Sequence, residues 1–103
     1  MENVLVLNEK DNVGNAIEDI VRNQAAIYSL AGKSYEIIAK EAIPFGFKIA
    51  LKSINKGDSV IKYGEIIGIA SKDITQGQLV HVHNLEGYRG RGDLNFKKRC
   101  CGT

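Results

Sequence analysis

His81 and His83 stand one residue apart in the block Val80-His81-Val82-His83-Asn84, and the chain holds no other histidine. Imidazoles titrate near neutral pH and are common ligands for Fe, Zn, Mn and Ni. Two of them beside an amide are half of a metal or anion site, or an acid and a base for an acidic substrate. Two ligands do not close a metal site. Carboxylates such as Asp11, Asp73 or Glu86, or a second polypeptide, would have to complete it. The bland alternative is a solvated strand face carrying two polar residues. Placing both histidines at i and i+2 beside Asn84 favours the functional reading.

Such rings need an element to hold them. Valines alternate with imidazoles here, so period two predicts a strand over residues 79–84. On a strand His81 and His83 would share one face, with Val80 and Val82 on the other. Further strands are predicted over residues 4–7, 25–30, 35–39, 47–51, 59–63 and 65–70, separated by turn signals at Gly32, Pro44, Gly46, Gly64 and Gly68. Short strands at this spacing suggest a small all-β barrel or clip.

An internal repeat supports that organisation. Ala16, Ala50 and Ala70 are each followed by Asp or Ser three residues on, then by Ile20, Ile54 or Ile74, then by Asn23, Gly57 or Gly77 three further on. The pattern reads as a strand end, a polar corner and a tight turn with positive φ. The Asp or Ser can hydrogen-bond the turn backbone. One stretch also fits a helix: Val13, Ile17, Ile20 and Val21 fall at helical spacing, with Asp11 or Asn12 as N-cap. The expectation there is a strand followed by one short helix.

The 103 residues make one domain, predicted over 1–87, with a Gly/Arg-rich basic tail over 88–103. A hydrophobic fraction of 44% and a charged fraction of 25% are ordinary for a globular chain, and a net charge of +2 is too small to point to nucleic acid. No apolar run approaches a membrane span, and no basic, apolar leader opens the chain. Cys100 and Cys101 are adjacent, where a mutual bridge would be strained, so they read as free tail thiols in a reducing cytoplasm.

Other residues carry weaker signals. Lys48, after Ile43-Pro44-Phe45-Gly46-Phe47, could meet a substrate carboxylate, although composition alone favours a surface lysine. Lys62 and Tyr63 alternate across a strand, and their spacing supports no functional use. Gly90-Arg91-Gly92-Asp93 contains an adhesion tripeptide by chance. Arg91 is better read as a contact for anionic groups on an arm.

The runs Ile43-Pro44-Phe45-Gly46-x-Lys48-x-Ala50-Leu51, Ile61-Lys62-Tyr63-Gly64-Glu65-x-Ile67-Gly68-x-Ala70 and Val80-His81-Val82-His83-Asn84, taken in order, resemble the SAF domain of the altronate and galactarate dehydratase family. Asp11-Asn12-Val13 resembles its opening. Small subunits of sulfolactate sulfo-lyase are related to this domain, with a different leaving group. The resemblance implies a β-clip fold and a place at the entrance of a sugar-acid lyase site. It implies a separate small subunit, inert alone, working with a large catalytic dehydratase subunit. It also implies a divalent metal, commonly iron or manganese. His81 and His83 match the family's His-x-His as catalytic or metal-ligating residues. Lys48 and Asn84 match substrate-binding positions, and Arg91 is added from the arm. One departure stands out: the family usually reads His where this chain has Phe47. The expectation is therefore the small subunit of a hydro-lyase that dehydrates a sugar acid. The alternative is a non-catalytic module that binds an acidic sugar or stabilises an assembly. A symmetric homodimer would cover an exposed strand edge.

Overall fold

The computed structural model describes residues 2–87, and among them every regular element is a strand. The order is β1 Val4–Leu5, β2 Val13–Ala16, β3 Ala25–Leu30, β4 Lys33–Ile38, β5 Lys48–Ala50, β6 Ser59–Lys62, β7 Glu65–Ala70, β8 Leu79–Val80 and β9 Leu85–Gly87. One sheet has the order β1-β2-β5-β8, β3 and β4 form a hairpin, and β6-β7-β9 form a third sheet. All pairings are antiparallel. The mainly β expectation is met. None of the described elements is a helix long and apolar enough to cross a membrane.

The short helix expected near residue 17 does not form. Val13–Ala16 is a strand between β1 and β5, and Ile20 bridges to Ile43. Val13 and Ile20 are buried, but Ile17 and Val21 are 46% and 61% exposed. The four residues never share the single apolar face that a helix would need.

The repeat is real, and it has a fourth copy. Ala39, Ile43 and Gly46 follow the same spacing, with Ala42 where the others have Asp or Ser. The copies pair two by two. Ile20 and Ile43 exchange both backbone bonds, while Asn23 donates to Ala39 and Gly46 donates to Ala16. Ile54 and Ile74 do the same, with Gly57 donating to Ala70 and Gly77 to Ala50. Asn23, Gly46, Gly57 and Gly77 all have positive φ. The Asp of one copy reaches the turn of its mate: Asp19 accepts from Phe45 N, and Asp73 from Lys56 N, each at 2.8 Å. Each pair surrounds its own core. One holds Ile20, Ile43, Ile49 and Tyr28, the other Ile54, Ile74, Val60 and Val80. Burying each of these isoleucines stabilises the fold by about 1.5–3 kcal/mol.

Two asparagines repeat this symmetry. Asn3 runs along β3: its N–H donates to Ile27 O, its Nδ2 to Ala25 O, and its Oδ1 accepts from Ile27 N. Asn12 does the same along β6, with Ile61 and Ser59 as partners. Glu2-Asn3-Val4 and Asp11-Asn12-Val13 therefore open two related halves that share β2.

Candidate functional site

The histidine block is a turn. β8 ends at Val80, residues 81–84 bend, and β9 begins at Leu85. The strand expected over residues 79–84 therefore stops two residues in, and strand alternation does not place His81 and His83 on a common face. The reason is Asn84, which is buried. Its Oδ1 accepts from His81 N and its Nδ2 donates to Leu79 O, both at 2.9 Å. His81 O accepts from Asn84 N and Leu85 N. An amide that binds its own backbone in this way competes with a ladder and makes a turn. The turn carries the chain from β8, paired with β5, to β9, paired with β7. It joins two sheets.

The two rings have different surroundings. His81 is half-buried, with its imidazole tilted at 54° against the Phe47 ring, centroids 4.7 Å apart. His83 is exposed, and Val82 between them is 80% exposed. An exposed valine flanked by imidazoles presents both an apolar and a protonatable group outward.

Lys48 lies elsewhere in the same ladder. It is opposite Asn15 on β2 and Val80 on β8. Phe47 and Lys48 are consecutive, so extended backbone sends them to opposite faces. Phe47 goes with His81 and the first core, and Lys48 turns to the side of Asn15. Burial pushes its ammonium below the usual lysine value, and the Lys62 charge adds to that. Lys62 Nζ reaches Asn15 Oδ1 at 3.5 Å and lies 5.0 Å over the Tyr63 ring. Lys48 and the His81 ring therefore lie on opposite faces of the ladder. Lys62 and Asn15 were missed in the sequence, where nothing in spacing links positions 15, 48 and 62; only the register joins them.

Asp11 does not join the histidines. It is buried, its Oδ1 accepts from Gly64 N at 2.8 Å, and its Oδ2 accepts from Leu7 N and Asn8 N. Its job is to hold the Tyr63-Gly64 turn, where both residues have positive φ. Asp73 is bound to the turn at Lys56. Among the described residues no group of three or more His, Cys, Asp or Glu is placed to hold a metal ion. His81 and His83 alone are an incomplete donor set for the iron or manganese expected from the sequence. Arg91, Cys100, Cys101 and the expected tail over 88–103 lie outside the described residues.

A small all-strand domain of paired Ala-Ile-Gly clips, closed by an Asn-locked His-x-His turn, is SAF-like. The chain belongs to the altronate/galactarate dehydratase SAF domain family, whose pattern matches residues 2–88. It is similar to altronate dehydratase of Bacillus subtilis (strain 168), with 40% identity over 84% of this chain and 16% of that protein. Altronate dehydratase of Escherichia coli (strain K12) is 36% identical over 82% of this chain and 18% of its own length. The chain thus spans under a fifth of either dehydratase. The (2R)-sulfolactate sulfo-lyase subunit alpha of Paracoccus pantotrophus is 46% identical over 53% of this chain and 82% of its own length.

Proposed function

We propose that this chain is the small component of a hydro-lyase that dehydrates a sugar acid of the altronate or galactarate type. It would present the turn at residues 81–84 to an active site completed by a large catalytic chain. The observation that carries the reading is this turn: Asn84 locks it from within, while His83 and Val82 project outward. That is the form of a preassembled contribution to a shared site rather than of a self-contained centre.

The chemistry follows from the substrate. Dehydration removes a proton beside the carboxylate and expels a β-hydroxyl as water, with negative charge building on the carboxylate side. An imidazole near neutrality can take the first proton, and a second can return one to the leaving hydroxyl. His81 and His83 are the candidates, and Asn84 fixes the backbone between them. Lys48 stands on the face of β5 away from Phe47 and His81, so its part would be to capture a carboxylate of the acid rather than to serve the proton transfer. A divalent metal, iron or manganese, bound in the complex with groups of the large chain, would supply charge stabilisation.

The test is reconstitution with the large dehydratase chain of the same source, followed by an assay of dehydration across hexonates and aldarates. His81→Ala and His83→Ala are expected to abolish turnover while the complex stays intact on gel filtration. Unchanged turnover rejects their role. The sulfolactate relative, matched over most of its length, favours a second reading in which a sulfo acid is the substrate and the leaving group differs. Sulfolactate in the same screen separates the two. Binding of acidic sugars without turnover by any complex would favour the non-catalytic module.

A further inference from the structure

We propose that Lys48, Lys62 and Asn15 form a carboxylate-binding site at the seam between the β1-β2-β5-β8 sheet and the β6-β7-β9 sheet, separate from the histidine turn. Lys48 and Asn15 are opposed across β2 and β5, and Lys62 arrives from the end of β6 to touch Asn15. Both lysines are half-buried. Among the described residues neither meets a carboxylate: Lys62 has Asn15 and the Tyr63 ring, and the charge felt at Lys48 is that of Lys62. The Lys48 ammonium, partly out of water and within reach of the Lys62 charge, opposes folding unless an anion joins it. Asn15 turns its oxygen to Lys62, which leaves its amide protons as donors for the same anion.

The molecule contains its own control. Matching Asn3 with Asn12 and Ala16 with Ala50 places Val6 at the position of Asn15, Gly14 at that of Lys48 and Tyr28 at that of Lys62. In the first half these positions are closed by packing. Val6 and Tyr28 belong to the core, and a Cβ on Gly14 would lie 2.6 Å from Val4 Cγ1 and 2.9 Å from Val6 Cγ2. The same backbone therefore buries an apolar seam without cations. The second half carries two lysines and an amide in that place, which packing does not require.

The site is also held ready. Asn12 pins Ile61 just before Lys62, and Asp11 pins Gly64 just after it. Tyr63 between them sits at a φ of 55°. A bulky residue in that region is uncommon and is tolerated where its surroundings impose it. Asp11 and Asn12 are thus positioning residues for Lys62. This explains why an acidic residue and an asparagine stand so far along the sequence from the lysines they serve.

The choice of a carboxylate rests on the sugar-acid reading above; the binding itself does not need a partner chain. The full chain is titrated with L-tartrate while the lysine ε-methylene signals are followed by NMR. Saturable shifts are expected at Lys48 and Lys62 and not at exposed Lys52. Lys62→Met and Lys48→Met should each weaken tartrate binding at least about tenfold, the expected loss for a charge-assisted contact. Lys62→Arg should stay within a few-fold of the native chain, and Lys52→Met should match it. The proposal is overturned if tartrate moves neither signal, or if Lys62→Met binds as the native chain does. Inorganic phosphate binding about tenfold more tightly than tartrate would overturn the carboxylate assignment. Tartrate binding without dehydration in any complex would sink the lyase reading alone. Full dehydration by a complex carrying Lys62→Met, with unchanged KM, would sink this site alone.

Discussion

The Phe47 ring lies against the His81 imidazole, with centroids 4.7 Å apart. The resembling family run reads His at the position of Phe47. The contact therefore shows where a second ring would stand: beside His81, on the first-core side of the β5–β8 ladder. Phe47→His would put two imidazoles at a separation that suits a shared divalent ion. The variant is expected to bind Ni²⁺ at least about tenfold more tightly than the native chain by calorimetry, an added imidazole ligand being the cause. It should also lose about 1–2 kcal/mol of stability in urea, because an apolar ring packed on the core is replaced by a polar one. Unchanged Ni²⁺ affinity would mean that positions 47 and 81 do not share a ligand.

Asn84 is expected to matter through the turn before it matters through any substrate. Asn84→Ala removes one donor and one acceptor and leaves His81 N and Leu79 O without their partner. The cost should be about 1–3 kcal/mol in chemical denaturation. Amide exchange at His81 should speed up in the native state. Asn84→Asp keeps an acceptor for His81 N but sets a carboxylate against the Leu79 carbonyl, so it should recover little. A loss under about 0.5 kcal/mol for Asn84→Ala, the range of ordinary surface changes, would show that the turn holds itself.

The sequence exposed the architecture better than the site. The spacing from Ala to Ile to Gly was visible because each copy must end a strand, bridge an isoleucine and turn with positive φ. Those demands select residue types. The copy at Ala39 stayed hidden because Ala42 lacks the polar marker, though its backbone pairing with Ala16 and Ile20 is the same. The histidine strand failed because an alternating pattern is blind to an amide that folds back on its own backbone. The lysine pair was invisible for another reason. Lys48 and Lys62 are joined by β2, a strand remote from both in sequence, and no local pattern records a register. The Asp11-Asn12 pair was legible as a motif, but its use as a clamp on β6 and its turn was not.

Lys48 should leave a mark on the pH dependence of stability. Its ammonium is held below 10.5, chiefly by burial and then by Lys62. Unfolding restores the ordinary value. Between the folded and unfolded values the unfolded chain binds more protons, so stability rises with pH across that window. Below the window the penalty is fully present. Lys48→Met removes it. The variant should therefore be the more stable protein near neutral pH, and its advantage should shrink as pH climbs toward about 10.5, the free lysine value. Urea midpoints of both proteins over that range give the difference, in which other titrations such as that of Tyr28 cancel. An advantage that stays constant or grows would show that Lys48 carries no such penalty.

Gly57 and Gly77 offer a matched comparison of strain and space. They occupy equivalent turns of paired copies and share a φ of 92°. A Cβ on Gly57 meets nothing within 4 Å, whereas one on Gly77 would run into the Ile38 carbonyl oxygen and come within 3.2 Å of Lys40 Cγ. Gly57→Ala should cost only the conformational penalty, about 1–2 kcal/mol. Gly57→Asn should cost less, since Asn23 holds the equivalent place at a φ of 72°. Gly77→Ala must also displace backbone, and that backbone matters. Lys40 N donates to Gly77 O at 2.8 Å, tying the end of the β3–β4 hairpin to the turn of the copy that begins at Ala70. Its cost should exceed that of Gly57→Ala by about 2 kcal/mol or more, at the high end for a single substitution. Denaturant midpoints of the three variants decide the matter. Equal losses for the two alanines would mean that the Ile38 carbonyl yields freely and that the two halves are not braced at this point.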